Sequence, residues 1–365
     1  MSIRLRTPDD ILATIPYQLG FVPERSLVAI FTRERGVILV ARLDIPAEIS
    51  RTSLADRGFG QALDRAAGAG ADAVVLVAYD ARPAGWLAMD SALALTTRAG
   101  LEVLFAALVD GDRWAHVGCD EQECASSWRA VVAAADCGPV AELVGMGRGV
   151  LPDRASAIAR LEPDRAFQAR LPALSRRQRR TPVLATSWWQ AFFDLAQPLD
   201  GPDAYNPSPE AVISLARSLL DRDFRDALLA HLAPGILPLG ELPFGAVLRA
   251  RAVGAGAVGD HSPVADPQAQ HLVLARCLLL ATRSPEPLSA GPYVVASVLA
   301  GRLGDGMTAQ AAVEAALLAD PGHVLAGLIR QLISIGILPG YRPRAARPGG
   351  PGEVSPHAPY GHGVG

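Results

Sequence analysis

The first third of the chain alternates between two periods of hydrophobicity. Residues 27–32 and 37–44 are runs rich in Val, Ile and Leu. Between them lies Arg33-Glu34-Arg35-Gly36, a polar connector ending in glycine that predicts a β-hairpin. Residues 54–69 read as a helix, with Leu54, Phe59, Ala62, Leu63 and Ala66 near helical spacing. Residues 73–79 are a short continuous apolar run bounded by Gly70 and Asp80, the pattern of a strand covered on both faces. A second helix is predicted over 84–99, stopping at Gly100. A strand at 101–109, a turn at Asp110-Gly111-Asp112 and a strand at 113–117 follow. Ahead of all this, Pro16, Gly20 and Pro23 break any helix and steer the chain into the first strand. Tyr17 and Phe21 are then free to pack as lids on the sheet. The resulting order predicts a mixed sheet, complete by Val117, with helices packed on it.

Further along, residues 121–135 look helical, and Asp153 is the expected N-cap of a helix through 161 that Pro163 ends. The clearest boundary is the tract 170–182, which contains Arg176, Arg177, Arg179 and Arg180. Beyond it no stretch carries a strand pattern. Helices are expected at 184–196, 208–220, 222–232, 241–254, 268–282, 290–303, 308–319 and 323–335. The expected organisation is an α/β domain over 1–165, an Arg-rich linker over 166–183, an all-α domain over 184–340 and a disordered tail over 341–365. In the all-α part, Gly304, Ala309, Val313, Ala316 and Pro321 are spaced as in the second half of a tetratricopeptide repeat. Tyr293 fits the first half of that pattern, whereas Ser297 stands where it has Gly. One copy is present, so an Ala-rich helical bundle is the competing reading.

Composition narrows the class. Of 365 residues, half are apolar and 19% charged, a globular balance. Only 5% are aromatic and alanine is abundant, which implies a core of small side chains and closely packed helices. The sequence contains no lysine, so all 34 basic residues are arginine, a bias expected of a GC-rich genome. A net charge of −3 provides no field to draw in nucleic acid or an anionic membrane. The first ten residues have no apolar run of signal-peptide length, and the apolar run at 272–281 is interrupted by Arg276. A cytoplasmic location is expected, with no membrane and no nucleic-acid partner.

Candidate chemistry is sparse. His116, Cys119, Cys124 and Cys137 are residue types that zinc accepts, but Cys137 has no close partner and the spacing fits buried thiols better than a metal site. Neither a nucleophile elbow nor a P-loop is present, and the glycines at 254–259 follow a helix where a dinucleotide site needs a strand. Asp44, Asp80, Asp110 and Asp112 each close a β-run, and open α/β sheets bind ligands beyond the carboxyl ends of their strands. Asp80 with Arg82 is the leading pair, with turn formation as the structural alternative. His231 and His271 lie singly within helices. Trp188, Trp189, Phe192 and Phe193 make a wide apolar helix stripe, expected at the seam between the two halves.

The run "DDILATIPYQLGFVPERSLVAIF" resembles the opening of the actinobacterial domain of unknown function 4192 family, through Pro16, Tyr17, Leu19, Gly20, Phe21, Pro23, Ser26, Leu27 and Val28. The similarity recurs at 42–46, at 147–163, at Arg225-Asp226 and through "ALLADPGHVLAGLIRQLISIGILP". Family members often carry adjacent cysteines followed by proline after the last strand. Here Ala125 and Ser126 follow Cys124, a departure that counts against metal or redox chemistry. The resemblance implies one family-wide architecture and no known activity. The expected function is a non-enzymatic protein-interaction or regulatory module with a protein partner and no cofactor. The alternative is a small-molecule sensor or enzyme at the carboxyl edge of the sheet, using Asp44, Asp80, Arg82, Tyr17 and Phe21.

Overall fold

A computed structural model describes residues 5–34, 36–46, 58–80, 83–118, 128–197, 204–234, 236–237, 239–253 and 267–334. Its centre is a six-stranded mixed sheet in the order β2-β1-β3-β4-β5-β6. The strands are β1 (Ser26–Arg33), β2 (Gly36–Asp44), β3 (Ala73–Tyr79), β4 (Glu102–Asp110), β5 (Arg113–His116) and β6 (Arg129–Ala130). The expected hairpin is present, β1 pairing antiparallel with β2. β1 also pairs antiparallel with β3, and β3 and β4 run parallel. The unbroken apolar run of β3 is explained by this position, because the strand lies inside the sheet and is covered on both faces.

Helices cover both sides. α2 (Gly60–Gly68) and α3 (Pro83–Arg98) seal one face through Leu63, Ala66, Met89 and Ala92. The other face is closed by α1 (Pro8–Leu19), whose Leu12 and Ile15 pack on Val28, Val77 and Phe105. This corrects the expectation that Pro16 breaks any helix, since α1 runs through it. Thr7 caps the helix by accepting from the Asp10 N–H, and the Asp10 carboxylate accepts from the Thr7 N–H. Gly20, at φ 80°, then ends it in the left-handed region and donates to the Pro16 carbonyl. A proline within a helix costs about 3 kcal/mol. Burying Leu12 and Ile15, at 2% and 1% exposure, gains about 1.5–3 kcal/mol each, enough to offset it.

A second correction concerns 121–135. Residues 121–127 lie outside the described residues, but Arg129 and Ala130 form β6 and Ala134–Asp136 a 3₁₀ turn. The sheet is therefore not complete at Val117. Trp114 and Arg113 leave an open strand edge, and Arg129 and Ala130 pair with it despite their Ala-rich, helix-like surroundings.

The described residues from 134 to 334 hold helices and turns. α4 (Gly138–Gly145), which the sequence reading missed, packs on α1 through Val140, Cys137 and Ala13. There follow α5 (Arg154–Ala159), α6 (Arg165–Gln168), α7 (Thr186–Phe192), α8 (Pro209–Ser218), α9 (Arg222–Leu232) and α10 (Phe244–Val253). The series ends with α11 (Pro267–Arg283), α12 (Ala290–Arg302), α13 (Gly306–Ala319) and α14 (Val324–Ser334). Among the described residues no helix is long and apolar enough to cross a membrane.

The aromatic stripe does not form a seam between the sheet and the helices. Trp189, Phe192 and Phe193 are buried inside the helical core, where the Trp189 indole N–H donates to Ser218 Oγ at 2.7 Å, and only Trp188 stays exposed. Their apolar surface is absorbed locally by α8 and α9, through Val212, Leu215 and Phe224. The segment 145–151 makes backbone and polar contacts in both directions. Phe21 bridges Leu151, Arg148 donates to the Leu303 carbonyl at 2.7 Å, and Gln268 donates to the Gly145 carbonyl at 2.8 Å. The Arg65 guanidinium also reaches the Ser334 carbonyl.

Candidate functional site

The carboxyl edge of the sheet is where the sequence points. Register aligns Asp44 with Ser26, Ser26 with Tyr79, Val109 with Trp114 and Trp114 with Arg129. Since Ala78 partners Leu108, Tyr79 and Val109 are also neighbours, and the six residues form one row. The row does not make an open pocket. Asp44 is occupied by two arginines, accepting from Arg42 at 2.7 Å and from Arg154 at 3.4 Å. Phe21 is 1% exposed, and the Arg42 guanidinium stacks 5.4 Å from its ring centroid. Tyr17 is half-buried and packs toward α4, against the cluster that holds Cys137 and Val140. Tyr79 and Trp114 join the apolar layer under α1, where the Tyr79 hydroxyl and the Trp114 Nε1 have no hydrogen-bond partner among the described residues. Burial there raises the Tyr79 phenol far above its usual range.

Asp80 is buried at 7% exposure, where β3 turns into α3. Gly85, in the first turn of α3, lies so close that a Cβ on it would stand 1.8 Å from the Asp80 carbonyl oxygen. The turn is thus a tight backbone-to-backbone contact. Arg82, its expected partner, lies outside the described residues. So do Cys119 and Cys124. His116 stacks on Phe105 with ring centroids 5.5 Å apart, and Cys137 is buried with its Sγ 3.9 Å from Asp10 Oδ1. The structure does not bring His116 and Cys137 into one ligand set: among the described residues no three His, Cys, Asp or Glu side chains are grouped to hold a metal.

A cleft of about 300 Å³ opens instead among α5, α6 and α11–α13, with Arg154, a partner of Asp44, on its lining. Small residues create it. α13 turns Ala309, Ala312, Val313 and Ala316 inward toward α12, leaving Ala311, Ala315 and Ala319 along the cleft wall. Ile158, Leu161 and Leu318 complete the apolar surface. The polar scaffold is hydrogen-bonded. The Tyr293 hydroxyl donates to the Leu161 carbonyl, and Gln168 donates to the Thr282 and Ser284 carbonyls at 3.0 and 2.8 Å. Burial pushes the Tyr293 phenol up to about 12, so it remains a donor. Glu162, Glu286, Glu314 and Arg154 line the opening. None of these glutamates was singled out from sequence. The available signal was the i, i+4, i+8 alanine stripe at 311, 315 and 319, a helix face with no large residue to fill its contact.

The family described as Domain of unknown function (DUF4192) has a model that matches residues 8–236 and 257–340. Comparison with curated proteins and with solved structures finds no match to either.

Proposed function

The chain belongs to the domain of unknown function 4192 family, and we propose that it acts as a non-enzymatic, cytoplasmic protein-interaction or regulatory module. The observation that carries this reading is α14. Ala326 and Ile329 bury one of its faces, while Val324, Leu328 and Leu332 keep 65%, 52% and 36% exposure at i, i+4 and i+8. A helix that is apolar around most of its circumference normally lies within a bundle. The partner is then the apolar face of an amphipathic helix from another protein, laid along this stripe as the next layer of a tetratricopeptide-like stack. Ser297 suits such a stack, because its hydroxyl donates to the Ala309 carbonyl at 2.7 Å and ties α12 to α13 where the repeat pattern has glycine.

The test compares native protein with a Val324→Glu/Leu328→Glu double variant as baits in host lysate, after matched melting curves establish that both fold. The expected result is a protein retained by the native bait and lost with the variant. An identical retained set would overturn the reading, as would self-association of the native chain that the double substitution abolishes. The sheet-edge alternative has less support, because Asp44 is engaged with Arg42 and Arg154 while Tyr79 and Trp114 are covered by α1.

A further inference from the structure

We propose that the cleft among α5, α6 and α11–α13 is a binding site for an aliphatic di- or polyamine. This inference is independent of the α14 stripe. Its volume of about 300 Å³ is at the small end of ligand pockets, which span about 300–1,000 Å³. The apolar wall of Ala311, Ala315, Leu318 and Ile158 offers a surface for methylene groups. Glu162, Glu286 and Glu314 are placed around the opening, all exposed. None forms a salt bridge among the described residues, and only Glu314 accepts a side-chain hydrogen bond, from the neutral Gln310 amide. Among the described lining residues the one cation is Arg154, and it already faces Asp44.

Arg179 also stands beside Glu286 and donates to its carbonyl at 2.9 Å, so three carboxylates face two guanidinium groups, both already engaged, and the balance at the opening stays negative. An anionic ligand would meet repulsion from each glutamate, and a neutral alkyl ligand would gain nothing from them. A chain of methylenes carrying ammonium groups matches both surfaces. Its charged ends stay at the wet rim, so they avoid the desolvation that makes buried ion pairs costly. Attraction at an exposed rim is screened by salt, and binding weakens as ionic strength rises.

The test titrates the full chain with spermidine by calorimetry. 1,6-Hexanediol and adipate serve as the neutral and anionic chains. Spermidine is expected to bind at least about tenfold more tightly than either. Each of Glu162→Gln, Glu286→Gln and Glu314→Gln is expected to weaken it about two- to fivefold, the range of an exposed ion pair. Ala315→Phe, which fills the cleft wall, should abolish binding. Should that variant misfold, the three exposed glutamine substitutions still decide the matter. Spermidine binding no tighter than hexanediol would overturn the proposal. So would native affinity in the triple glutamine variant, or an equal loss with Glu102→Gln on β4, which would mark unspecific charge attraction.

Discussion

Arg276 has a cationic side chain at 0% exposure inside the helical core. Its guanidinium donates to the Phe192 and Gln197 carbonyls and stacks 4.4 Å from the centroid of the Tyr205 ring. These contacts tie the end of α7 to α11 by filling the buried Phe192 carbonyl and reaching the carbonyl of the exposed Gln197. Arg276→Met is expected to leave the buried Phe192 carbonyl unsatisfied and to lower stability by about 2 kcal/mol, with Arg276→Lys recovering part of the loss. Urea unfolding measures this, and a loss under about 1 kcal/mol would show that the carbonyl finds another donor. In the sequence Arg276 was legible only as an interruption of an apolar run. Its partners lie 84 and 79 residues away, so spacing along the chain could not reveal its role. Gly85 is a similar case: the contact with the Asp80 carbonyl explains why glycine stands in the first turn of a helix, where its own propensity is poor.

Among the elements, α1 is the one for which local rules misled most. Proline inside the helix argues against it when read singly, yet the Thr7–Asp10 capping box, the Gly20 cap and the apolar pair Leu12 and Ile15 argue for it. The hydrogen bonds to the Arg6 and Thr7 amides also hold the Asp10 carboxyl below its usual pKa, strengthening the cap at neutral pH. Thr7→Ala is expected to lower stability by about 1 kcal/mol, and Thr7→Ser by much less, because the hydroxyl is the group that caps. Paired denaturant curves check the difference, and equal losses in both variants would mean that the methyl group matters more than the cap. By contrast β1 to β5, α2 and α3 were legible to within a few residues where they are described, because each carries its own period. β6 was not legible: two residues have no period, and only the open edge of β5 makes them a strand.

At the scale of the whole molecule, three half-buried histidines among the described residues favour the fold in its neutral-ring form. His231, His271 and His323 all have lowered pKa values, chiefly because burial disfavours the charged ring. Arg251, Arg148 and Arg225 respectively add to the effect, while Asp305 at His271 and Asp320 at His323 oppose it. His323 also accepts from the Ala326 N–H through Nδ1, which requires a neutral ring. A histidine whose folded pKa is depressed stabilises the fold above its unfolded pKa of about 6.5, and that stability is lost as pH falls through the folded value. The melting temperature is therefore expected to drop as pH falls below about 6.5, and His271→Gln or His323→Gln should flatten the drop. Melting curves across that window test it, and an unchanged slope in both variants would place the acid sensitivity elsewhere. His271 belongs to the junction as well, since its ring lies 3.4 Å from where a Cβ on Gly147 would stand. The periods of the sequence by themselves determined that β1 to β5, α2 and α3 alternate in the first third of the chain and that helices follow, and the family resemblance was carried by the opening run. Periodicity is local, so a short window suffices to read it. Tertiary structure alone decided that α1 survives Pro16, that Asp44 is engaged with Arg154, and that Glu162, Glu286 and Glu314 surround one cleft. Those outcomes depend on groups brought together from distant parts of the chain, and neither propensity nor spacing records that meeting.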